Sequence, residues 1–373
     1  MTKYYRTLFA TICLAAFSCG ASAQNKTIAI GYHAPLSGEN AQYGALFRNS
    51  ATLAVDEFNK SGRLPGVTVQ LKFEDSKGES KEGVNIARKF SDDPSILAAI
   101  GDFSSGVSMA AGQVYAQTKL PQLSQTASHP DFVKISEYQF RNITTMSYES
   151  PLIAKWALAN GAKKIAVVAI QNDWGQSVVS NFVDYVKANG GEITDVEMFN
   201  PGTRDFRSIL TKVARGKPDA IYLGSFYEDG SAFLQQKVQL GLKQQMYGTS
   251  SLYSQKLLEL AGPAANNLNL STTFMLDSPE PHVKAFVKDY EARYGSKPDM
   301  FAAQAYDATN IVLKAFVAAG GANATRAKVR DAMAATKDFP GVTGVTSFDP
   351  KTREPAKLLT KLEIQNGKFV LVK

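Results

Sequence analysis

Serine and threonine hydroxyls cluster where short apolar segments, predicted to be strands, lead into predicted helices. Ser104 and Ser105 precede a helix predicted over 106–118, and the segment 126–128 (Thr-Ala-Ser) precedes one predicted to begin near Pro130. The first turn of a helix presents unpaired backbone N–H groups and a partial positive charge, so hydroxyls placed there can bind a carboxylate. A single serine at such a position is usually a cap or turn residue. Two hydroxyl-bearing segments in one half of the chain favour a site for an acidic head group.

Aromatic side chains occur in other segments that follow predicted strands. Tyr43, Trp174 and Tyr227 are predicted to lie in loops rather than on apolar helix faces, which favours the wall of a binding pocket. In open α/β sheets, ligands bind at the carboxyl ends of the strands. The loops expected to form the pocket are therefore 34–43, 102–106, 124–130, 171–175, 225–230 and 249–253.

Groups for nucleophilic or metal chemistry are sparse. The three histidines, His33, His129 and His282, lie at no metal-ligand spacing, and the chain has no nucleophile elbow, phosphate-binding loop or dinucleotide-binding fingerprint. Asp102 and Glu149 could form the acid/base pair of a secreted hydrolase. Alternatively, Asp102 caps the helix that follows it, and Glu149 lies in the first turn of the next helix. We therefore expect a protein that is not an enzyme and has no cofactor or metal.

The first residues predict export. Lys3 and Arg6 precede the uncharged apolar run 8–17, and Ala-Ser-Ala at 21–23 ends the segment, which is typical of a signal peptide (residues 1–23) cleaved after Ala23. Lipid attachment at Cys19 is the alternative. Removing the segment removes both cysteines and lowers the formal charge from +7 to +5, because the two basic residues leave without an acidic one. The remaining charges are interspersed, which argues against nucleic-acid binding. The expected location is the periplasm.

Strand and helix patterns alternate along the mature chain, which predicts an α/β fold with two doubly wound parallel-sheet lobes of four or five strands each. Examples are the buried strand at 164–170 and the helices at 281–294 and 301–319, and the chain ends in a hairpin around Asn366-Gly367. No linker separates the two halves. The chain is therefore expected to cross between the lobes more than once.

Several motifs carry a resemblance to a known family: Pro35-Leu36-Ser37-Gly38, Gly101-Asp102-Phe103-Ser104-Ser105, Ser124-Gln125-Thr126-Ala127-Ser128-His129-Pro130, Tyr138-Gln139-Phe140-Arg141, Asp173-Trp174-Gly175 and Thr203-Arg204-Asp205-Phe206. The mature chain resembles the type I periplasmic binding proteins of the leucine/isoleucine/valine-binding group. The resemblance implies two lobes joined by three hinge crossovers, one lobe formed by 24–145 with 273–356 and the other by 146–272 with 357–373. It implies the solute-binding subunit of an ABC importer, which reaches the membrane only through the permease subunits. A sensory ligand-binding domain is the alternative role for this fold.

The resemblance also implies a set of ligand-binding residues: Tyr43, Ser104, Ser105, Thr126, Ala127, Ser128, Tyr148, Trp174, Tyr227, Asp229 and Ser250. Within it, Ser105, Ser128 and the backbone of Thr126-Ala127 are expected to hold a carboxylate.

One position departs from the family pattern. In the branched-chain amino acid binders a glutamate receives the ligand's ammonium, and this chain has Ser250 there. A buried ammonium without a carboxylate partner is unfavourable. Either Asp229 or Glu228 takes over the role, or the ligand is a hydrophobic or aromatic carboxylate without an α-amino group.

Overall fold

The computed structural model describes residues 25–372, so the predicted signal peptide and Cys19 lie outside the described residues. The first part of the chain builds a five-stranded parallel sheet in the order β2-β1-β3-β4-β5. Its elements are β1 (Lys26–Ala34), α1 (Ala41–Lys60), β2 (Val67–Asp75), α2 (Ser80–Asp92), β3 (Ile96–Ile100), α3 (Ser105–Thr118), β4 (Gln122–Ser124) and β5 (Gln139–Arg141).

The second sheet has seven strands in the order β14-β13-β10-β9-β8-β6-β7. Its first elements are α4 (Met146–Ala159), β6 (Lys164–Ile170), α5 (Asp173–Ala188), β7 (Glu192–Phe199), α6 (Arg207–Arg215), β8 (Ala220–Gly224), α7 (Tyr227–Gln239), β9 (Gln245–Gly248), α8 (Gln255–Ala261) and β10 (Leu268–Thr272). These strands pair in parallel.

The last part of the chain adds helices to the first lobe, a separate two-stranded sheet of β11 and β12, and two strands to the second sheet. Its elements are α9 (Pro281–Tyr294), α10 (Met300–Ala318), α11 (Arg326–Ala334), β11 (Phe339–Gly341), β12 (Gly344–Thr346), β13 (Thr360–Gln365) and β14 (Lys368–Leu371). Helices α9 and α10 pack on α1 and helix α11 on β3, and β13 then joins the second sheet antiparallel to β10. The chain thus passes between the two lobes three times: after β5, after β10 and between β12 and β13. The α/β fold with two parallel-sheet lobes is confirmed.

Two details differ from the sequence prediction. The second sheet exceeds the predicted four or five strands, because the terminal hairpin of β13 and β14 extends it in antiparallel fashion. The helix predicted near Pro130 was wrong: only a single 3₁₀ turn forms there, at Phe132–Lys134. The segment ahead of it therefore presents no helix N-terminus.

The strands at the centre of each lobe are apolar because helices cover both of their faces. All residues of β3 and β8 are buried, as are those of β6 except Lys164. Helix α5 packs tightly against the end of β6: a Cβ at Gly175 would lie 1.8 Å from the carbonyl oxygen of Ile170. Glycine is therefore required where this helix begins. No helix within residues 25–372 is both long and apolar enough to cross a membrane.

Candidate functional site

A cavity of about 220 Å³ lies between the two lobes, where the carboxyl ends of both sets of strands face each other. The first lobe contributes Glu39, Asn40, Gly78, Phe103, Ser104, Ser105, Thr126, Ser128, Met300 and Phe301 to its wall. The segments after the first crossover contribute Ile143, Met146, Ile170, Asn172, Trp174, Pro201, Gly202, Arg204, Phe226, Glu228, Asp229, Ser250 and Ser251. Of the residues expected from the sequence, the cavity brings together Ser104, Ser105, Thr126, Ser128, Trp174, Asp229 and Ser250.

The first-lobe wall is rich in hydroxyls. Ser105 begins α3, and Ser104, directly before it, makes no side-chain capping bond to the helix. The Oγ of Ser105 accepts a long hydrogen bond (3.4 Å) from the backbone N–H of His129, and its proton has no acceptor among the described residues. Thr126 differs, because its hydroxyl lies 3.0 Å from two backbone carbonyl oxygens of the loop before α3. The uncapped start of α3 with its serines can therefore donate to an anionic group.

Buried hydrogen bonds fix the loop that carries Ser128. Ser124 Oγ accepts from the backbone N–H of Ala127 at 2.9 Å, so this N–H is already paired within the loop. Arg141 donates to the carbonyl oxygens of Ala127 (2.8 Å) and His129 (2.9 Å), and its Nε lies 3.0 Å from a carboxylate oxygen of Glu354. Burial lowers the pKa of Arg141 to about 10, at which the guanidinium stays charged at neutral pH. The guanidinium thus fixes the backbone on both sides of Ser128. It makes no bond to the Ser128 hydroxyl, which remains at the cavity wall.

Aromatic rings form the opposing wall and contact the first lobe directly. The Trp174 Nε1–H donates to Ser128 Oγ across the cleft at 2.9 Å. The indole stacks on Phe226 with ring centroids 5.0 Å apart, and Phe226 lies 4.9 Å from Phe103 of the first lobe. This arrangement brings the two lobes together around the cavity. Rings of this kind suit an apolar ligand body.

Charged side chains lie on the second-lobe wall beside the rings. Arg204 Nη1 lies 3.4 Å from Asp229 Oδ1, and the arginine side chain is 64% exposed whereas that of Asp229 is 8% exposed. Burial raises the pKa of Asp229 to about 6, and the charge of Arg204 opposes that rise. Burial likewise raises the pKa of Glu228. Arg204 was not among the expected site residues, although its loop follows the carboxyl end of β7, where ligands bind in open α/β sheets.

Ser250 lies at the cavity wall with a carboxylate directly behind it. Its backbone N–H and its Oγ donate to the two carboxylate oxygens of Glu149, at 2.5 and 3.0 Å, and Ser271 Oγ donates to the same group at 3.1 Å. Glu149 occupies the first turn of α4, as predicted, and is fully buried. Burial raises the pKa of Glu149, and the three donors oppose that rise.

Four residues expected in the site lie elsewhere. Tyr43 is buried behind the wall, where it stacks on Phe103 at 4.2 Å. Ala127 is fully buried, and Tyr148 is 44% exposed on α4. Tyr227 lines a separate cavity. Their direct contact with a ligand stays a prediction that the cavity lining does not favour.

The prediction that the aromatic residues lie in loops was wrong. Tyr43, Trp174 and Tyr227 belong to the first turns of α1, α5 and α7. In a first turn one face of the helix packs on the sheet and the other faces the cleft, so neighbouring side chains are directed to different places.

The carboxylates considered as an acid/base pair are also absent from the cavity wall. Asp102 Oδ1 accepts from the backbone N–H of Ser104 at 3.1 Å, and Oδ2 lies 3.4 Å from His33 Nδ1 in the core of the first lobe. Glu149 is enclosed in the second lobe. Neither carboxylate reaches the cavity surface where a substrate bond would lie.

Comparisons with known proteins identify similar chains. The family model described as "Periplasmic binding protein" matches residues 27–368. Leu/Ile/Val-binding protein homolog 1 of Brucella melitensis biotype 1 is 27% identical over 348 residues, which cover 93% of this chain and 92% of that protein.

Two solved structures show the same similarity over nearly the whole chain. A protein from Rhodospirillum rubrum assigned to branched-chain amino acid ABC transport is 42% identical, with a TM-score of 0.73, covering 93% of this chain and 100% of that one. The branched-chain amino acid transporter substrate-binding protein LivJ of Streptococcus pneumoniae, in complex with isoleucine, is 28% identical with a TM-score of 0.84, covering 92% and 98%.

Proposed function

The chain belongs to the periplasmic binding protein family, and we propose that it is the solute-binding subunit of an ABC importer that captures a small, hydrophobic carboxylate between its lobes. The family consists of binding proteins rather than enzymes, and its relatives are of the branched-chain amino acid transport type. In this role the mature protein lies in the periplasm and interacts with the permease subunits of the importer.

The observation that carries the proposal is the pairing of two unlike walls around one cavity. The first-lobe wall offers the Ser105 and Ser128 hydroxyls beside the uncapped start of α3. These groups donate hydrogen bonds where the helix dipole favours an anion. The opposing wall offers Trp174 and Phe226, which suit an apolar body. A ligand with a carboxylate at one end and a hydrophobic group at the other fits both walls.

Binding of the ligand between the lobes also explains how ligand binding is coupled to closure of the lobes. A ligand that contacts both walls stabilises the closed arrangement more than an open one, so its differential affinity drives closure. The bond from Trp174 to Ser128 spans the cleft and exists only when the lobes are together. Closure thus reports occupancy, which a permease can recognise.

The direct test is isothermal titration calorimetry of the purified mature protein with matched carboxylates. The panel contains L-leucine, L-isoleucine, L-valine and L-phenylalanine with the corresponding carboxylic acids that lack the amino group, and leucinol, which lacks the carboxylate. We expect micromolar or tighter binding of at least one carboxylate, an increase in melting temperature, and no binding of leucinol. Absence of binding by every carboxylate would contradict the proposal. Genes for a permease and an ATPase beside this one favour import, whereas a neighbouring sensor kinase favours signalling.

A further inference from the structure

We propose that the second lobe carries a further ligand site, outside the cleft, which binds a neutral polyhydroxylated compound such as a sugar or a polyol. The site is a cavity of about 750 Å³, which we call the basal cavity, and it shares no lining residue with the cavity between the lobes. It lies where β9 and β10 begin, whereas the cleft lies at the carboxyl ends of the strands. This site does not depend on the proposed function.

Side-chain amides dominate the lining of the basal cavity, together with the ends of α4 and α7 and one carboxylate, that of Glu363. The amides are those of Asn160, Gln244, Gln245, Asn266, Asn267 and Asn269. An amide offers donors and an acceptor side by side, and a hydroxyl likewise both donates and accepts. A wall of amides therefore matches a ligand with several hydroxyls better than a ligand with a net charge.

Hydrogen bonds within the wall fix four of these amides. Asn160 Nδ2 donates to the Tyr247 hydroxyl at 3.0 Å, and this hydroxyl donates to Gln245 Oε1 at 3.1 Å. Asn269 Nδ2 donates to a backbone carbonyl at 3.1 Å, and Asn266 Oδ1 accepts from a backbone N–H at 3.0 Å. The other polar atom of each amide makes no hydrogen bond among residues 25–372, which leaves two acceptors and two donors. Groups fixed in this way lose little freedom when a ligand binds.

Lys237, near the end of α7, is a buried cation with unused donors at the same wall. The residue is 8% exposed, its Nζ donates to the carbonyl oxygen of Leu242 at 3.1 Å, and it makes no ion pair within the described part of the chain. Burial lowers the pKa of Lys237, and the charge of Lys243 lowers it further. The helix dipole favours a lysine at this end of α7, but an ammonium has three N–H donors and only one is used. The other two are available to a ligand.

Gln244 supplies an acceptor close to this ammonium. It lies two residues after Leu242, whose carbonyl binds Lys237, and its Oε1 is buried without a donor among the described residues. Buried polar atoms without a partner are rare in native proteins. A hydroxyl can accept from the ammonium and donate to Oε1, whereas a carboxylate has no proton to donate and an ammonium has no lone pair. The two side chains therefore favour a hydroxyl over a charged group.

The two tryptophans of the chain allow the two sites to be followed separately. Trp156 lines the basal cavity and Trp174 lines the cleft. In the Trp174→Phe variant of the mature protein, the fluorescence of Trp156 would be titrated with D-glucose, myo-inositol and cellotetraose. Inorganic phosphate and ethylammonium chloride are the charged comparisons. Because Trp156 is then the only tryptophan, a saturable change in its emission reports binding at the basal cavity.

Three further variants in that background test the polar groups. Lys237→Met and Gln244→Met remove the ammonium and the amide at similar side-chain length. Gln235→Met is the matched control, because Gln235 is on α7 outside the basal cavity and donates to a backbone carbonyl.

We expect a saturable response to at least one neutral compound, with a Kd of about 1 mM or tighter, and none to phosphate or ethylammonium. Lys237→Met and Gln244→Met should each weaken that binding by about 10-fold, as for the loss of one hydrogen bond, and Gln235→Met should not change it. A response to glucose or inositol would assign a free solute, and a response to cellotetraose alone would assign a glycan chain. Both results support the polyhydroxylated class.

Three results would overturn the inference. Lack of a saturable response to every neutral compound would show that the basal cavity holds only solvent. A response to phosphate that Lys237→Met abolishes would assign an anion site instead. Unchanged affinity in both Lys237→Met and Gln244→Met would place the bound compound elsewhere. Calorimetry with L-leucine should give the same affinity for the wild type and for Lys237→Met, and failure of every carboxylate to bind would refute the proposed function while leaving this site intact.

Discussion

Replacing Ser128 by alanine should weaken carboxylate binding more than the same change at Ser105, because in the proposed function the Ser128 hydroxyl binds the ligand and it also accepts the hydrogen bond that joins the two lobes. Ser105 Oγ otherwise accepts only the long bond from His129 N–H, so Ser105→Ala should remove one hydrogen bond to a charged group, about 1.5–3 kcal/mol. Ser128→Ala should remove a similar bond and also leave the Trp174 Nε1–H without its acceptor at 2.9 Å. A buried donor left unpaired adds about 1–3 kcal/mol.

A double-mutant cycle separates the two contributions. With L-leucine as the titrant, calorimetry would compare the wild type, Ser128→Ala, Trp174→Phe and the double variant. Trp174→Phe removes the donor, so Ser128→Ala in that background should weaken binding only as much as Ser105→Ala does. The expected coupling between Ser128 and Trp174 is about 1–3 kcal/mol, within the range of directly bonded pairs.

Two outcomes would refute this reasoning in different ways. If Ser128→Ala weakens binding equally in both backgrounds, the cross-cleft hydrogen bond does not contribute to the liganded state. If neither Ser105→Ala nor Ser128→Ala changes the affinity, the carboxylate is not held by the first-lobe hydroxyls.

Three further predictions concern stability, measured by urea denaturation. Because burial raises the pKa of Asp229 from 3.8 to about 6, the folded state binds its proton more tightly than the unfolded state, and the free energy of unfolding should fall as the pH rises from about 4 to about 6, by at most about 3 kcal/mol. Asp229→Asn should remove that share of the pH dependence; an unchanged pH profile would contradict it. Arg141→Met should destabilise the protein by about 3–5 kcal/mol, since it leaves Glu354 without its partner and frees the loop carbonyls; a loss below about 1 kcal/mol would refute it. Gly175→Ala should cost about 1–3 kcal/mol or more through overlap with the carbonyl of Ile170, and a neutral effect would show that α5 can shift.

Most elements of the fold follow from local sequence patterns. Helix α9 spans Pro281–Tyr294, as predicted, because proline at the first helical position and Gly295 after the last turn mark both of its ends. Strand β6, at Lys164–Ile170, likewise has its predicted bounds, since an apolar run of this length fits a strand covered on both faces. The helix prediction after Pro130 was wrong because it relied on a helix start alone. The chain there makes a single 3₁₀ turn and then enters β5, which leaves no room for a longer helix.

The direction of side chains was harder to predict than the position of their loops. Tyr43 follows a strand as the rule requires, but its ring stacks on Phe103 inside the wall instead of facing the cavity. Arg204 is the opposite case, because it was not expected in the site but lines the cavity. It lies in the loop after β7, and this loop reaches the cleft although β7 is an edge strand. Which face of a first turn meets the cleft depends on how the helix docks on its sheet. That docking is a tertiary property, and no single segment encodes it.

No single position of the sequence predicts the contact between Glu149 and Ser250. Position 250, considered alone, has lost a carboxylate, and position 149 alone is an ordinary acidic residue in the first turn of a helix. Only the packing of α4 against the loop after β9 places one against the other. The contact uses the single proton of the Ser250 hydroxyl, so the hydrogen-bonding capacity of this serine at the cavity wall depends on a residue 101 positions earlier in the chain.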